Sequence, residues 1–256
     1  MAPTRRSGTY RWLGQYYDQI FSSFRFPIDA ARERILDQIL SHVKVACDLA
    51  CGTGTTALRL ARNGIKMYAV DVSSVMCRLA REKVKINCLP VCVLRADMRS
   101  FQLPERVDLV TCEYDALNHV PYKSDLRKVA MAVERVLRPG GYFYFDVNNS
   151  LGFERYWTGA VWIEKPTVVL VMRNGHNRRA SRAWSDIEWF IREGRLWRRR
   201  REHVQEVCWD SQEIRRVLRE TGFDLLNVWD AAPFFKKESR ISPGCRTIYL
   251  ARKSRL

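Results

Sequence analysis

The chemistry most readily read in this chain lies in Asp48-Leu49-Ala50-Cys51-Gly52-Thr53-Gly54 and in Asp71, seventeen positions past the last of those glycines. Glycine at 52 and 54 lets the backbone turn sharply and approach a ligand where a side chain would collide. An acidic residue at the end of the following strand is placed to grip a pair of ribose hydroxyls. Together they imply a nucleoside-containing ligand.

Asp48 constrains the charge of that ligand. A nicotinamide or flavin dinucleotide would set its pyrophosphate at the helix N-terminus, where backbone N–H groups favour negative charge. A carboxylate four positions before the first glycine opposes a pyrophosphate. It suits a cationic ligand such as S-adenosylmethionine, which carries an ammonium and a sulfonium. Ala57 at the third fingerprint position is uninformative, because alanine is allowed there.

The elements that must position these residues alternate. Val43, Val45, Ala46 and Cys47 read as a strand before the loop, and Thr56, Ala57, Leu58, Leu60 and Ala61 as a helix after it. Ile65 to Val72 is a second strand ending in Asp71. Ser73 and Ser74 cap a helix with Val75, Met76, Leu79, Ala80 and Val84 on one face. Val91 to Ala96 is a third strand, running into Ala96-Asp97-Met98. Val107 to Cys112 is a fourth, followed by Glu113-Tyr114-Asp115. Ser124 opens a helix with Leu126, Val129, Ala130, Val133, Val136 and Leu137 at helical spacing, and Pro139-Gly140-Gly141 stops it. Tyr142 to Val147 is a fifth strand. Strands alternating with helices predict right-handed crossovers and a parallel, doubly wound α/β sheet.

These residues resemble the class I S-adenosylmethionine-dependent methyltransferases of the small-molecule type. Asp48 through Gly54 looks like the family's first motif, Asp71 its second and Ala96-Asp97-Met98 its third. Leu137-Arg138-Pro139-Gly140-Gly141 looks like its landmark before the fifth strand. The resemblance is strong over residues 10–150 and looser in the C-terminal hairpin. One departure is Ala50, where the family most often has glycine. The resemblance implies a Rossmann-like, mostly parallel seven-stranded sheet and S-adenosylmethionine as cofactor. It puts Asp48 near the methionine ammonium, with the backbone of Ala50, Cys51, Gly52, Thr53 and Gly54 beneath the methionine. Asp71 would hold the ribose, Val72 and Met76 would lie against the adenine, and Asp97 and Met98 would meet its edge, next to Ala96. Glu113 would face the methionine end through its backbone carbonyl. Tyr16-Tyr17-Asp18 resembles a lid helix in which a tyrosine, best matched by Tyr17, closes over the cofactor carboxylate; the plainer expectation is an aromatic helix packed on the sheet.

Open parallel sheets bind ligands outside the carboxyl ends of their strands. The methyl acceptor is therefore expected among the loop after the fourth strand, the N-terminal segment and whatever follows the fifth strand. Tyr10, Trp12, Tyr16, Tyr17, Phe21, Phe24 and Phe26 make that N-terminal segment aromatic. Val161 to Val171, Arg182 to Ile191 and Leu196 to Val207 read as three extended segments, with turns at Asn174-Gly175 and Glu193-Gly194. They predict a small antiparallel β cap, for which Tyr156, Trp157, Trp162, Trp184, Trp189 and Phe234 are the aromatics available. A helix from Ser211 to Gly222 and strands at Phe223 to Trp229 and Thr247 to Ala251 complete the core. The expected divisions are a helical lid at 1–42, a cofactor-binding core at 43–150, the cap at 151–208 and a closing helix and hairpin at 209–256.

Methyl transfer from a sulfonium is an in-line displacement by an already activated donor, so alignment and exclusion of water do most of the work. A base is needed when the acceptor arrives as a hydroxyl, a phenol or an ammonium. His119, five residues past Tyr114, is the first candidate, because imidazole titrates near neutrality. Tyr114 and Asp115 are alternates that could orient an amine. His203 and His176 are weaker, one on a strand and one in a basic turn. Asp115, Asp146 and Asn148 can be imagined around a hard metal ion, but nothing else in the sequence supports one.

Eight scattered cysteines point to reduced thiols in cytosol. Cys47 and Cys51, like Cys88 and Cys92, are four apart, but no histidine or further pair completes a zinc set. No apolar run reaches the length of a membrane span, and Met1 to Gly8 is too polar and short for a secretory signal. A formal charge of +16 and the run Arg195-Leu196-Trp197-Arg198-Arg199-Arg200-Arg201 keep a nucleic-acid acceptor in play. Against it, Glu113-Tyr114-Asp115-Ala116 lacks the prolines of enzymes that methylate exocyclic base amines. Cys112 follows Thr111 inside an apolar strand, not the proline usual before a nucleophilic cysteine. The expected function is methyl transfer to a nitrogen or oxygen of a small metabolite. RNA methylation through the basic cap and a non-catalytic cofactor-binding partner subunit are the alternatives.

Overall fold

The computed structural model describes residues 13–234 and 243–255, without the side chains of residues 13, 15 and 22–27. It begins with a long helix, α1 (Leu13–Leu40). Strand β1 (Val45–Leu49) is buried along its whole length, as expected of a run apolar on both faces at the centre of a parallel sheet. Helix α2 (Thr55–Arg62) follows the glycine loop, then β2 (Lys66–Asp71), α3 (Ser74–Asn87) and β3 (Val91–Arg95). The Ser73 hydroxyl caps α3, accepting from the Met76 N–H at 3.4 Å. The chain then crosses back to β4 (Val107–Cys112), α4 (Lys123–Val136) and β5 (Leu137–Asn148).

After β5 come a short helix α5 (Ser150–Tyr156) and the strands β6 (Gly159–Lys165), β7 (Val168–Asn177), β8 (Arg182–Glu193) and β9 (Leu196–Val207). Helix α6 (Ser211–Glu220), β10 (Phe223–Asp230) and β11 (Arg246–Lys253) close the chain. The main sheet has seven strands in the order β10-β11-β5-β4-β1-β2-β3, and β6 to β9 form a separate four-stranded sheet. Strands β1 to β5 are parallel, while β11 runs antiparallel to both β5 and β10. Because β1 pairs with both β2 and β4, the strand order reverses there, and the carboxyl ends of all five parallel strands lie along one edge.

The inserted sheet differs from expectation in its strand count. The apolar run 161–171 is two strands, because Pro166 and Thr167 form a tight turn that pairs Lys165 with Val168. Gly175, expected in a turn, instead lies inside β7 opposite Trp184. A Cβ there would sit 2.5 Å from the Trp184 ring, so glycine serves a close approach. The turn comes later, where the Asn177 side chain accepts from the Ala180 N–H at 3.0 Å and Ser181 takes φ 50°. Strand β5 also begins five residues before Tyr142, directly after α4, with Leu137 pairing Val107 and a register shift before Leu109.

One face of the main sheet (Val45, Cys47, Val110, Phe143, Phe145) packs on α4 and α6 through Leu126, Val129, Val133, Ile214 and Leu218. The other face (Ala46, Met67, Ala69, Leu109, Leu250) packs on α1 and α2 through Ile28, Ala31, Leu36, Ala57 and Leu60. The inward residues of the cap sheet, Leu170, Ile187, Trp189, Ile191 and Val204, cluster with Ile20 of α1. Helix α1 therefore serves two cores, the cap with its N-terminal half and the main sheet with its C-terminal half. Among the described residues no helix is long and apolar enough to cross a membrane, and all eight cysteines are unpaired.

The α1–sheet contact carries a buried ion pair. Arg32, fully buried, donates from one terminal nitrogen to Glu113 at 2.8 Å and to Asp29 at 2.9 Å. Burial works against the guanidinium charge, but Glu113 and Asp29 outweigh it and raise the Arg32 pKa. Arg32→Ala leaves Glu113 and Asp29 buried without their cation and is expected to cost about 3–5 kcal/mol. Urea unfolding checks this; a loss below about 1 kcal/mol would show that α1 docks without the pair.

Candidate functional site

Each parallel strand delivers a short loop to the shared edge. After β1, Ala50, Gly52 and Gly54 take φ 57°, 54° and 78°, folding the chain under its own strand before α2 begins. At Gly54 a Cβ would lie 3.1 Å from the Cβ of Ala80, whereas at Gly52 it would enter open space. Alanine at 50 holds a left-handed conformation that costs about 1–2 kcal/mol for a residue with a Cβ. Glycine would hold the same conformation without that cost.

Asp71 closes this loop from the end of β2. Its carboxylate accepts from the Gly52 N–H at 2.9 Å and the Ser73 N–H at 2.8 Å. Burial raises its pKa against the pull of those two bonds. Asp48 is almost fully buried and accepts from the Ala57 N–H and the Thr111 hydroxyl, both at 3.2 Å. It ties the first turn of α2 to β1 from beneath. Cys51 is buried as well, its N–H bonded to Val70 O at 3.0 Å.

The loop is latched to α1. Thr53, 1% exposed, donates to Asp18 at 2.7 Å, and Lys83 of α3 also pairs with Asp18. Gly14 lies against α3 so closely that a Cβ would be 3.1 Å from Val75 and 3.4 Å from the sulfur of buried Met76. Val72 is exposed. Past β3, the Ala96 N–H bonds Asp71 O at 3.0 Å, and Met98 packs on the core beneath. Arg99 grips the Asp97 carboxylate through its side chain and holds it below the usual carboxylate range. Tyr17 is half-buried, its ring 5.1 Å from Phe21 and packed towards the cap core, while the ring of Tyr16 stacks 6.3 Å from Trp189. These aromatics thus pack on the cap core. Tyr10 and Trp12 lie outside the described residues, as do the side chains of Phe24 and Phe26.

The turn after β4 is held in an unusual conformation. Tyr114 and Asp115 are successive left-handed residues, φ 59° and 54°. Asp146, near the end of β5, accepts from the N–H groups of both, at 2.8 and 3.1 Å. Arg246 of β11 donates to Asp146 at 2.6 Å and to Asp115 at 2.8 Å. This conformation sends Glu113 back towards Arg32, where burial pushes its carboxyl up to about 8 in spite of the guanidinium. The Tyr114 hydroxyl donates to Asp29 at 2.9 Å.

A single 3-10 turn, Ala116–His119, follows, and the cap is fastened to it. The Asn118 amide donates to Val207 O at 2.7 Å and Asn148 O at 2.9 Å. Trp209 donates to Leu117 O at 2.9 Å, and Arg182 to Pro121 O at 2.7 Å. His119 consequently faces β9, its Nε2 3.8 Å from Oε1 of the buried Glu206. Burial lowers the His119 pKa; Asp115 and the Gln205 backbone pull the other way.

The structure thus gathers Asp48, the 50–54 loop, Asp71 and Ala96 around β1 to β3, and Glu113, Tyr114, Asp115 and His119 at β4. It does not gather the six candidate aromatics. Trp189 is buried against α1, while the strand registers put Trp162 and Trp184 on the opposite face of the cap. His203 is exposed and bonded to Asp186 at 2.7 Å. Arg246 and Glu206 are the residues here that sequence reasoning missed, and Asp146, which it considered only as a metal ligand, serves instead as a backbone clamp. The signal for the role of Asp146 was a lone charge in an apolar stretch, Phe143-Tyr144-Phe145-Asp146-Val147.

Residues 46–141 match a family model described as a methyltransferase domain. A protein of Bacillus subtilis (strain 168) named "Putative methyltransferase YqeM" is 26% identical over 86% of this chain and 88% of its own. An S-adenosylmethionine-dependent methyltransferase structure from Clostridium acetobutylicum ATCC 824 has TM-score 0.78 at 23% identity, covering 96% of this chain and 99% of that chain. The sugar N-methyltransferase KedS8 from Streptoalloteichus sp. ATCC 53650 has TM-score 0.74 at 19% identity, covering 99% of each chain. At these identities the structural likeness speaks for the fold. The resemblance to class I S-adenosylmethionine-dependent methyltransferases therefore holds in the domain match and in the Rossmann-like architecture.

Asp146→Asn removes one of the two acceptors that hold the Tyr114–Asp115 turn and sets an amide N–H₂ against a backbone N–H. The expected loss is about 1–3 kcal/mol, with faster hydrogen exchange at the Tyr114 and Asp115 amides than elsewhere in the sheet. Unchanged exchange at those two positions would refute the clamp.

Proposed function

We propose that this chain is an S-adenosylmethionine-dependent methyltransferase acting on a nitrogen or oxygen of a small metabolite. The observation that carries the reading is the pairing of the glycine loop with Asp71, at the edge where the parallel sheet reverses and a cap has been added. The residues present fit the cofactor. The Gly52 face is open, the Asp71 carboxylate is fixed by two N–H bonds and can still accept from ribose hydroxyls, and Asp48 favours a cation over a pyrophosphate, with Glu113 offering its backbone carbonyl. Val72 and Met98 offer apolar surface for the base, with Met76 buried behind them and Ala96 and Asp97 beside. Tyr17 and the Asp18 latch on Thr53 would close α1 over the methionine end.

The sulfonium of the bound cofactor supplies an activated methyl group. The chain's own part is to bind the acceptor beside it, hold it in line and keep water out. His119, kept neutral by burial, is the group suited to take a proton from the acceptor. Tyr114 and Asp115, fixed by Asp146, orient the acceptor. The basic run of β9 gives little support to an RNA acceptor. Arg199 and Arg201 are drawn to Glu188, and Arg198 to Glu193, so much of that charge is already answered within the cap. We divide the labour as lid (1–42), cofactor core (43–150), cap (151–208) and closing hairpin (209–256), in a cytosolic enzyme.

Asp71→Ala is expected to weaken S-adenosylmethionine binding at least tenfold by calorimetry; undiminished affinity would remove the cofactor assignment. His119→Ala should lower kcat about 10²-fold. Because burial lowers the His119 pKa from 6.5, the neutral base persists below neutrality. In wild type kcat/KM should therefore show a limb that rises with pH below 6.5, and the variant should lose that limb. A limb unaffected by the substitution would assign the proton to another group. Salt-dependent RNA affinity would instead favour the RNA reading. Absence of any turnover would favour a partner-subunit role.

A further inference from the structure

Three carboxyl groups meet where the cap rests on the ends of β4 and β5: Asp115, Asp146 and Glu206. One guanidinium answers them, that of Arg246, already donating to Asp146 and Asp115. Asn148 donates to Asp115 at 2.8 Å. Glu206 reaches down from β9 into the side chains of Asn148 and Asp115, 4% exposed. Its Oε2 has no hydrogen-bond partner among the described residues, while Oε1 faces His119. His119 adds no charge at neutral pH, since burial lowers its pKa. The place therefore has more acid than base, and one buried acceptor oxygen still to be answered. Among the described residues no group of three or more His, Cys, Asp or Glu is disposed to hold a metal ion.

We propose that Glu206 and Asp115, with His119 beside them, form the seat for a protonated amine on the methyl acceptor, the ammonium displacing a proton that Glu206 otherwise holds. The proposal rests on the methyl-transfer reading and narrows its acceptor from nitrogen or oxygen to an amine. An ammonium brings a unit charge and three donors, matching both the carboxylate excess and the partnerless Oε2. A hydroxyl brings a donor and no charge, so it could not take the place of the proton on Glu206. Burial, and then Asp115, push the Glu206 carboxyl well up, which is what keeps a proton there until a cation replaces it.

The chemistry balances. The ammonium gives one proton to the neutral imidazole of His119, and the freed nitrogen lone pair forms the N–C bond as the methyl carbon–sulfur bond breaks. The pair of that broken bond stays on sulfur, and the product leaves as a methylated ammonium. The His119 proton then passes to solvent through its exposed edge. Glu206 here is a recognition residue on the cap, so the inserted sheet and the turn after β4 together set acceptor class.

Ethylammonium chloride and ethanol are the matched probes. Each is titrated at constant ionic strength into the whole protein, with and without saturating S-adenosylhomocysteine, following the His119 ring by NMR. Ethylammonium should give a saturable shift and ethanol a response at least tenfold weaker. Each bound ammonium should release one proton, so affinity should tighten up to about tenfold per pH unit while Glu206 is protonated. The charged and titratable described groups facing this seat are Asp115, His119, Asp146 and Arg246. Protonation of His119 would act in the same direction.

Glu206→Gln should weaken ethylammonium at least tenfold while leaving S-adenosylmethionine affinity intact by calorimetry. Asp115→Asn provides the same comparison if the first variant does not fold. An equal response to ethanol, no response to either probe, or wild-type ethylammonium affinity in the variant that folds would overturn the proposal. Failure of S-adenosylmethionine to bind wild type would instead overturn the methyl-transfer reading and leave the amine titration interpretable.

Discussion

The site depends on one carboxylate. Asp146 sits where a parallel strand ends and takes the backbone N–H groups of Tyr114 and Asp115, two non-glycine residues held left-handed in succession. Such a conformation persists only where its surroundings over-determine it. Arg246 supplies that over-determination, fixing Asp146 and Asp115 at once. The consequences run outward from there. Glu113 is turned into the α1 interface, Asp115 towards Asn148, and the chain enters its 3-10 turn aimed at the cap, which brings His119 opposite Glu206.

Helix α1 is the second organising element. Its C-terminal half is anchored by Arg32 to the end of β4, and its N-terminal half packs its aromatic rings against the cap. Between them Asp18 bonds Thr53 in the glycine loop. One helix therefore touches the glycine loop, the turn after β4 and the cap core. Any rigid-body movement of α1 must disturb all three together.

Much of this was legible in the sequence, because much of it is local. Glycines before a helix, an acid ending a strand and apolar runs alternating in period fix the loop, the strand ends and the parallel sheet without distant information. What escaped was set by long-range register. Asp146 and Arg246 are 100 residues apart and become partners only when β5 pairs with β11. Glu206 reads as one more charge at the end of a basic run; its burial follows from the inward alternation of β9, which no local pattern fixes. The cap was one strand short for a different reason. A two-residue turn lies hidden in an apolar run, while Gly175, a good turn residue, is there to make room for the Trp184 ring.

The fastening of the cap has a bearing on how such folds diversify. The inserted sheet is contiguous in sequence, yet Asn118, which registers it, belongs to the core: a single amide spans β5 and the end of β9. An insertion held in this way is not a free module. Recombination that exchanged the cap alone would arrive with Glu206 out of phase with His119. Inheritance of a new specificity should therefore travel with the short turn before α4 as well as with the strands it supports.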